Sequence, residues 1–524
     1  MTLHAALRQA IQSAFRRAEN GFDAAFGPSD NPLRHLGALG FFFLWVLVAS
    51  GLYLYIVVDT SVVGVYRSID ELTKGQWYFG GILRSLHRYA TDAFILVMML
   101  HLVREWAYDR YSGFRLYSWA TGIPLIWFAY MSGIGGYWIV WDRLAQFSAV
   151  ASMEMFDWFT IFNQATVRNF LSADTINDRF FTFLVFLHIG IPLLLILGLW
   201  AHVHRISRVD ALPSRRLGWG SLLCLLALAL VRPAVSDAPA DLAQAALDTR
   251  IDWFVLFLHP LTYATSAAFV WALLFAGTIL LFALPLLPHT RRAPVAEVDP
   301  PNCNGCRRCY VDCPYGAVTM EPHPFKPRHQ IAVVDAANCA GCGICVGACP
   351  SSTPFRSNEK LVTGIDMPQQ PIDVLRHALE ERLTHLAGQT KVVVFGCESG
   401  ADVSRLAAPD TAAFTLICAG MLPPSFVEYA LRGGADGVLI TGCRPDGCPF
   451  RFGNHWLEQR LSHRREPHLR TQVPGERVRL AWAGPTDDAA LAAALHQFRQ
   501  DLELHADEAS RLTPFHRRSI PHGH

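Results

Sequence analysis

Thiols and imidazoles carry the chemistry this chain can do. Twelve of its 13 cysteines fall between Cys303 and Cys448. Cys303, Cys306, Cys309 and Cys313 precede Pro314, and Cys339, Cys342, Cys345 and Cys349 precede Pro350 at the same spacing. Closely spaced thiolates bind iron–sulfur clusters or zinc, and two interlocked runs of four favour iron–sulfur. In such a run the fourth cysteine ligates the other cluster. One [4Fe-4S] is therefore expected on Cys303, Cys306, Cys309 and Cys349, and a second on Cys339, Cys342, Cys345 and Cys313. A third quartet is Cys397, Cys418, Cys443 and Cys448. Its first two members end expected strands, and the turn from Gly442 to Cys448 holds the other two. Four thiolates there suit one [2Fe-2S] or structural zinc.

The apolar first half offers imidazoles instead. His87 and His101 are fourteen residues apart, as are His188 and His202. Fourteen helical residues rise about 21 Å, so each pair lies on one helix face at two depths. Ionisable groups inside a membrane are costly and default to function. Two parallel helices so equipped suit two stacked haems b by bis-imidazole ligation, pairing His87 with His188 and His101 with His202. The repeated interval argues against helix-end histidines, and His204 breaks it. Gly37 and Gly51, and Gly122 and Gly136, repeat the same interval. Glycine at two depths makes room for a planar macrocycle; close packing of helices by small residues is the plainer reading, and the shared interval argues against it.

Composition calls for a membrane to position these groups. Of 524 residues, 52% are hydrophobic and 17% charged, against about 25% charged in a soluble chain. Disordered and collagen-like chains are excluded. The near balance of 45 basic and 44 acidic residues, with no basic stripe, argues against a nucleic-acid partner. Spans are expected near 35–58, 80–103, 120–140, 181–203 and 263–287, and a short sixth near 215–232 is either a span or an interfacial helix. Six spans place both termini on one side. Arg16, Arg17, Arg34, Arg104, Arg110, Arg115, Arg205, Arg208, Arg215, Arg216, Arg291 and Arg292 fall there, which makes that side cytoplasmic. Clustered metal-binding thiols agree with a reducing compartment. The expectation is a bacterial or archaeal inner-membrane protein, multi-pass, with cytoplasmic iron–sulfur domains.

The expected organisation is an amphipathic segment at 1–30, carrying Leu3, Leu7, Ile11 and Phe15 and no secretory signal, followed by a membrane all-α bundle at 31–289. A Pro-rich linker covers 290–301, and a small α+β ferredoxin domain covers 302–356. A small α/β iron–sulfur domain at 371–505 follows, then a polar tail at 506–524 whose histidines carry no metal expectation. Within the α/β domain, helices are expected at 371–386 and 424–433 and strands at 391–395, 413–418 and 437–440.

Residues 30–288 resemble cytochrome b of the respiratory bc and photosynthetic bf complexes. The resemblance rests on Leu36-Gly37, Ser50-Gly51-Leu52, Arg84-x2-His87, His101-x2-Arg104, Trp119-x2-Gly122, Gly136-Tyr137 with Trp141, and His188-x3-Pro192. It implies that Arg84 and Arg104 pair with haem propionates. Ile251-Asp252-Trp253-Phe254 stands where that family carries its Pro-Glu-Trp-Tyr quinol-site motif. Asp252 keeps a carboxylate for quinone proton transfer, on a shorter arm and without the proline; a helix-starting Asp is the plainer reading. Nothing resembles a Rieske centre, so the family's bifurcating cycle does not follow.

The double cysteine run resembles bacterial 2x[4Fe-4S] ferredoxins. Residues 391–460 resemble the delta subunit of methyl-viologen-reducing hydrogenases, through the run Gly434–Cys443, then Cys448 and Gly453-Asn454. That subunit carries a [2Fe-2S] cluster and passes electrons to the flavoprotein of heterodisulfide reductase. Together the resemblances imply a membrane-bound electron-transfer subunit of a quinone oxidoreductase complex. It would relay electrons between a cytoplasmic, flavin-containing redox partner and the quinone pool, with quinone reduction preferred. The rival readings are a quinol-oxidising subunit of a larger electron-bifurcating complex and a redox-inert anchor for a soluble dehydrogenase. A lone dehydrogenase lacks its Gly-x-Gly-x-x-Gly loop here. Cytochrome b relatives are dimers, so a homodimer is the analogous assembly.

Overall fold

In lipid a backbone can satisfy its polar groups only internally, so long apolar runs fold as helices. The structure, a computed structural model, describes residues 3–27, 30–108, 110–159, 171, 175–204, 211–244, 250–287, 294–356, 359–444, 448–485 and 487–509. Arg205, Arg208, Arg291 and Arg292, residues 288–293 across the start of the linker, the turn residues 445–447, and 510–524 of the tail lie outside them. The chain divides into two units, Met1–Thr290 and Arg291–His524.

The first unit is helical. Its helices are α1 (Leu3–Phe26), α2 (Leu36–Val57), α3 (Val65–Lys74), α4 (Ile82–Ala107), α5 (Leu116–Val140), α6 (Arg143–Phe156), α7 (Asp178–Val203), α8 (Arg215–Val231), α9 (Leu258–Ala264) and α10 (Ala267–Ala283). Five stretches of the described residues are long and apolar enough to cross a membrane: Leu36–Val57, Trp77–Ala107, Gly113–Val140, Asp178–Val203 and Ala267–Leu286. Their outward faces are apolar, with Leu52, Phe186, Leu197 and Ile279 all at least 60% exposed. Such surfaces suit lipid, not water. This is a multi-pass membrane protein.

The expected sixth segment forms α8, whose 17 residues make about 25 Å of helix. Ser214 caps its start through Leu217 N at 3.1 Å and donates to Asp30 Oδ1 at 2.5 Å. Past its end, Arg232 O accepts from Tyr89 OH, and Ala234 N donates to Ser85 Oγ at 2.9 Å. α8 thus runs from the end of the bundle where α2 begins to the end where α4 begins. The span expected from 263 starts later. Thr265 leaves helical geometry, and Ser266 Oγ caps a new helix by accepting from Phe269 N at 3.2 Å.

α1 forms where its apolar spacing places a helix, and its polar side is tied down. Arg104 Nε donates to Glu19 Oε1 at 2.8 Å, and Asn31 Nδ2 donates to Glu19 O and Asp23 Oδ1 at 2.8 and 2.7 Å. Arg34 pairs with Asp23 at 2.7 Å.

The second unit contains β1 (Glu297–Val298), α11 (Arg308–Asp312), β2 (Val318–Pro322), β3 (Gln330–Val334), α12 (Ile344–Ala348), β4 (Ile365–Asp366), α13 (Ile372–His385), β5 (Val392–Cys397), β6 (Thr411–Leu416), α14 (Pro424–Arg432), β7 (Gly437–Gly442), α15 (Gly453–Leu461), β8 (Val478–Trp482) and α16 (Asp488–Ala509). β1 pairs with β4 and β2 with β3, both antiparallel. The last four strands form an all-parallel sheet in the order β6-β5-β7-β8, with Val392 opposite Thr411 and Gly437. β5 and β7 are buried throughout, as a parallel sheet covered on both faces requires. β8 and α16 extend the expected α/β pattern. The whole is a helical membrane region joined to small sheet-containing domains.

Candidate functional site

Each of the four recurring glycines lies beneath an imidazole. A Cβ added at Gly37 would meet His101 Cε1 at 3.8 Å, at Gly51 His87 Cε1 at 3.1 Å, at Gly122 His202 Cε1 at 3.0 Å and at Gly136 His188 Cε1 at 2.9 Å. The helices therefore work in pairs, α2 with α4 and α5 with α7, each glycine letting a ring lie flat between two backbones. The interval alone suggests room for the macrocycle; at Gly51, Gly122 and Gly136 the contact that requires glycine is with the imidazole, while Gly37 is at ordinary van der Waals distance.

The His87 and His188 ring centroids are 6.1 Å apart with planes at 66°. That separation leaves room for a metal ion that the two imidazoles would hold between them. His87 Nδ1 lies 3.2 Å from Leu47 O and 3.0 Å from Ser50 Oγ; His188 Nδ1 lies 3.1 Å from Ser132 O. An Nδ1–H donated to a carbonyl leaves the Nε2 lone pair for a metal and fixes the ring's orientation. At the other depth His202 Nδ1 is 3.3 Å from Thr121 Oγ1. His204 is exposed and stacks on Trp200 at 5.3 Å. The residues fit two bis-imidazole haems.

The two arginines flanking these rings are buried. Arg84 Nη1 donates to Ile69 O at 3.1 Å and Thr73 Oγ1 at 2.7 Å, and Nη2 donates to Ser236 Oγ at 2.8 Å. Arg104 holds Glu19 and lies 3.5 Å from Glu105. That internal carboxylate, 85 residues upstream, had no signal in the sequence. Asp252 does two things. Its Oδ1 accepts from Phe254 N at 2.8 Å and Val255 N at 3.2 Å, the turn-starting role. Its Oδ2 accepts from Arg88 Nη2 and Tyr137 OH. Arg88 also pairs with Asp92 at 2.6 Å. Arg88, one residue past His87, carries no motif that would have marked it in the sequence.

The cysteines of the second unit gather in groups. One hollow is lined by Cys303, Cys306, Cys309 and Cys349, and another by Cys313, Cys339, Cys342 and Cys345. Burial pushes the Cys309 thiol up to about 12 and raises Cys342 and Cys345 as well. Such thiols become thiolates only with the charge of a metal beside them. The third quartet gathers at the carboxyl ends of the parallel strands, where open α/β sheets place ligands. Cys397 closes β5, Cys443 follows β7, and their sulfurs are 3.5 Å apart. Cys418 and Cys448 converge on Gly453, their sulfurs 2.0 and 3.5 Å from where its Cβ would stand. A Cβ at Gly453 would stand 2.0 Å from Cys418 Sγ, so only glycine can start α15 there. No group of three or more His, Cys, Asp or Glu among the described residues is placed to hold a single metal ion; the cysteines of the first two quartets stand around the hollows instead.

Known families match in the same order. The Cytochrome b/b6/petB model matches residues 30–209, a 4Fe-4S dicluster domain 302–353, and the delta subunit of methyl-viologen-reducing hydrogenase 392–504. One component of a ferredoxin/F420H2-dependent CoB-CoM heterodisulfide reductase from Methanosarcina acetivorans is 33% identical over 40% of this chain and 25% of its own length. An iron-sulfur component of an F420-non-reducing hydrogenase from Archaeoglobus profundus is 31% identical over 16% and 59%. The cytochrome b subunit of a menaquinol:cytochrome c reductase from Bacillus subtilis is 26% identical over 24% and 58%. The chain covers a quarter to three fifths of these relatives. The matches imply haem in the helical unit and iron–sulfur clusters in the other. The chain is a multi-pass membrane protein that fuses a cytochrome b-like part, a dicluster ferredoxin-like part and a part similar to a hydrogenase delta subunit.

Proposed function

We propose that the protein connects a soluble, flavin-containing cytoplasmic partner to the quinone pool, with quinone reduction the preferred direction. The observation that carries this reading is the His87–His188 pair, its rings 6.1 Å apart over glycine beds. Two haems b, two [4Fe-4S] and one [2Fe-2S], when bound, accept and release single electrons. The residues hold them. His87 with His188, and His101 with His202, present Nε2 from rings whose Nδ1 is bonded at three of the four. Arg84 keeps buried positive charge near the start of α4 for a propionate; Arg104, which holds Glu19, is the corresponding candidate at the other end. Cys303, Cys306, Cys309 and Cys349 hold one cubane, Cys313, Cys339, Cys342 and Cys345 the other, and Cys397, Cys418, Cys443 and Cys448 the [2Fe-2S].

Asp252 Oδ2 is the atom assigned to the quinone proton. Tyr137 and Arg88 aim it, and the Arg88 guanidinium is its counter-charge. The domains expected at 31–289, 302–356 and 371–505 divide these roles, with the iron–sulfur domains cytoplasmic and a homodimer as the analogous assembly.

The test is an anaerobic haem spectrum of the detergent-purified protein, titrated with a quinol analogue and then dithionite. Partial reduction by quinol, completed by dithionite to two b haems per chain, is expected. Haems answering only to dithionite overturn the quinone connection, and absence of b haem overturns the histidine assignment.

A further inference from the structure

Arg460 is the largest fully buried side chain among the described residues, at 0% exposure, and it touches a loop from each of the three cysteine groups. Nη2 donates to Asp312 Oδ2 at 2.6 Å, within the stretch between Cys309 and Cys313. Nη2 also reaches Ile344 O at 3.3 Å, between Cys342 and Cys345. Nη1 donates to Gly420 O at 2.8 Å, two residues past Cys418. These loops press together closely. A Cβ at Gly347 would stand 2.3 Å from Gly420 O and 2.6 Å from Arg460 Nη1, and one at Gly343 2.9 Å from Met421 Cγ.

The charges in this knot do not cancel. Asp312, 3% exposed, accepts from both Arg460 and Arg465, and its carbonyl accepts from Trp456 Nε1 at 3.1 Å. Arg465 lies over the Trp456 ring at 3.5 Å. Two arginines on one carboxylate leave one net positive charge. A loaded thiolate cluster is anionic and gains a further negative charge on reduction. A fixed cation nearby therefore favours the reduced form, and net charge is one of the quantities that sets cluster potentials. Guanidinium suits the place because its planar fork serves three acceptors while staying charged.

We propose that Arg460 is a positioning residue for electron transfer. It clamps the third quartet's loop against the quartet Cys313, Cys339, Cys342 and Cys345, and its charge raises the potential of both centres. Each transfer across the clamp moves one electron, one centre being oxidised as the other is reduced, with no bond made or broken. The inference rests on the cluster assignments of the proposed function.

The test is a redox titration followed by electron paramagnetic resonance on the full-length protein. Cys306→Ser identifies the signal of the quartet Cys303, Cys306, Cys309 and Cys349. In Arg460→Met the reduced-to-oxidised ratio of the other two centres should fall about tenfold at fixed potential, or about 59 mV for one electron, with the Cys303 quartet moving less. Arg460→Met with Asp312→Asn restores the net charge and should restore the ratio. Asp312→Asn alone leaves both arginines and should raise the ratio about tenfold; it decides the matter if Arg460→Met does not accumulate. Unchanged ratios in variants with full iron content, or equal shifts at all three centres, overturn the proposal. Missing iron–sulfur signals in the parent protein would instead overturn the cluster assignments beneath it.

Discussion

The two ferredoxin-like cysteine runs share one spacing and have different surroundings. In the first, Cys306 is exposed, and the following Tyr310 and Val311 are 51% and 55% exposed. In the second, Cys342, Ile344, Cys345, Val346 and Ala348 are all buried. Thirty-six residues separate equivalent positions, so Arg307 corresponds to Gly343, and both are left-handed, at φ 65° and 72°. The same backbone turn thus tolerates a side chain where it meets solvent. It requires glycine where Met421 closes over it. Ligand spacing sets which thiols converge; the neighbour packed on the loop sets what else the loop must be.

The strongest test of that contrast is to remove one thiol from each hollow. Cys342→Ser and Cys306→Ser should each cost about four irons per chain, counted chemically. Thermal unfolding should separate them. Cys342→Ser should lose more than about 3 kcal/mol, because its cluster also supports the buried loops, and Cys306→Ser clearly less.

Next comes Gly343→Ala, which combines a left-handed φ with a Cβ 2.9 Å from Met421 Cγ. A loss of about 2–3 kcal/mol is expected by denaturant unfolding. The four membrane glycines extend the contrast, sharing an interval but not a clearance. Gly136→Ala puts a Cβ 2.9 Å from His188 Cε1 and Gly37→Ala only 3.8 Å from His101 Cε1. Gly136→Ala should therefore shift or weaken one haem's spectrum, with a loss of about 1–2 kcal/mol, and Gly37→Ala should leave the other unchanged. The smallest effect is a gain. Arg307→Gly relieves a left-handed side chain and should stabilise by up to about 1 kcal/mol. An equal response at Arg307 and Gly343 would dissolve the contrast between the runs.

Much of this was legible in the sequence where spacing alone decides geometry. The two interlocked cysteine quartets and the histidine ladder are of that kind, since helical rise and loop reach convert residue number directly into distance. Where partners are remote the signal vanishes. Glu19 meets Arg104 across 85 residues, and Arg460 meets Asp312 across 148. No periodicity marks either. β8 escaped because Val478–Trp482 is partly buried at every position, an edge strand without alternation. The break at Thr265 and Ser266 escaped because both residues also fit inside an apolar helix; the Ser266 cap is visible only once Phe269 N is seen bonded to it. Asp252 could be read as a turn starter or as a proton carrier because those roles use different oxygens, and sequence does not distinguish Oδ1 from Oδ2.

The shortness of α8 reaches beyond the protein. Its 17 residues cover about 25 Å, against about 30 Å of hydrocarbon in an average bilayer. Lipid along that flank must thin by several ångströms or leave Arg215 and Arg232 stretching toward the headgroups, at fractions of a kcal/mol per ångström. A bilayer crossed by α8 would be shaped unevenly. Lipids with shorter acyl chains will collect beside α8 while longer ones line the 26-residue α7.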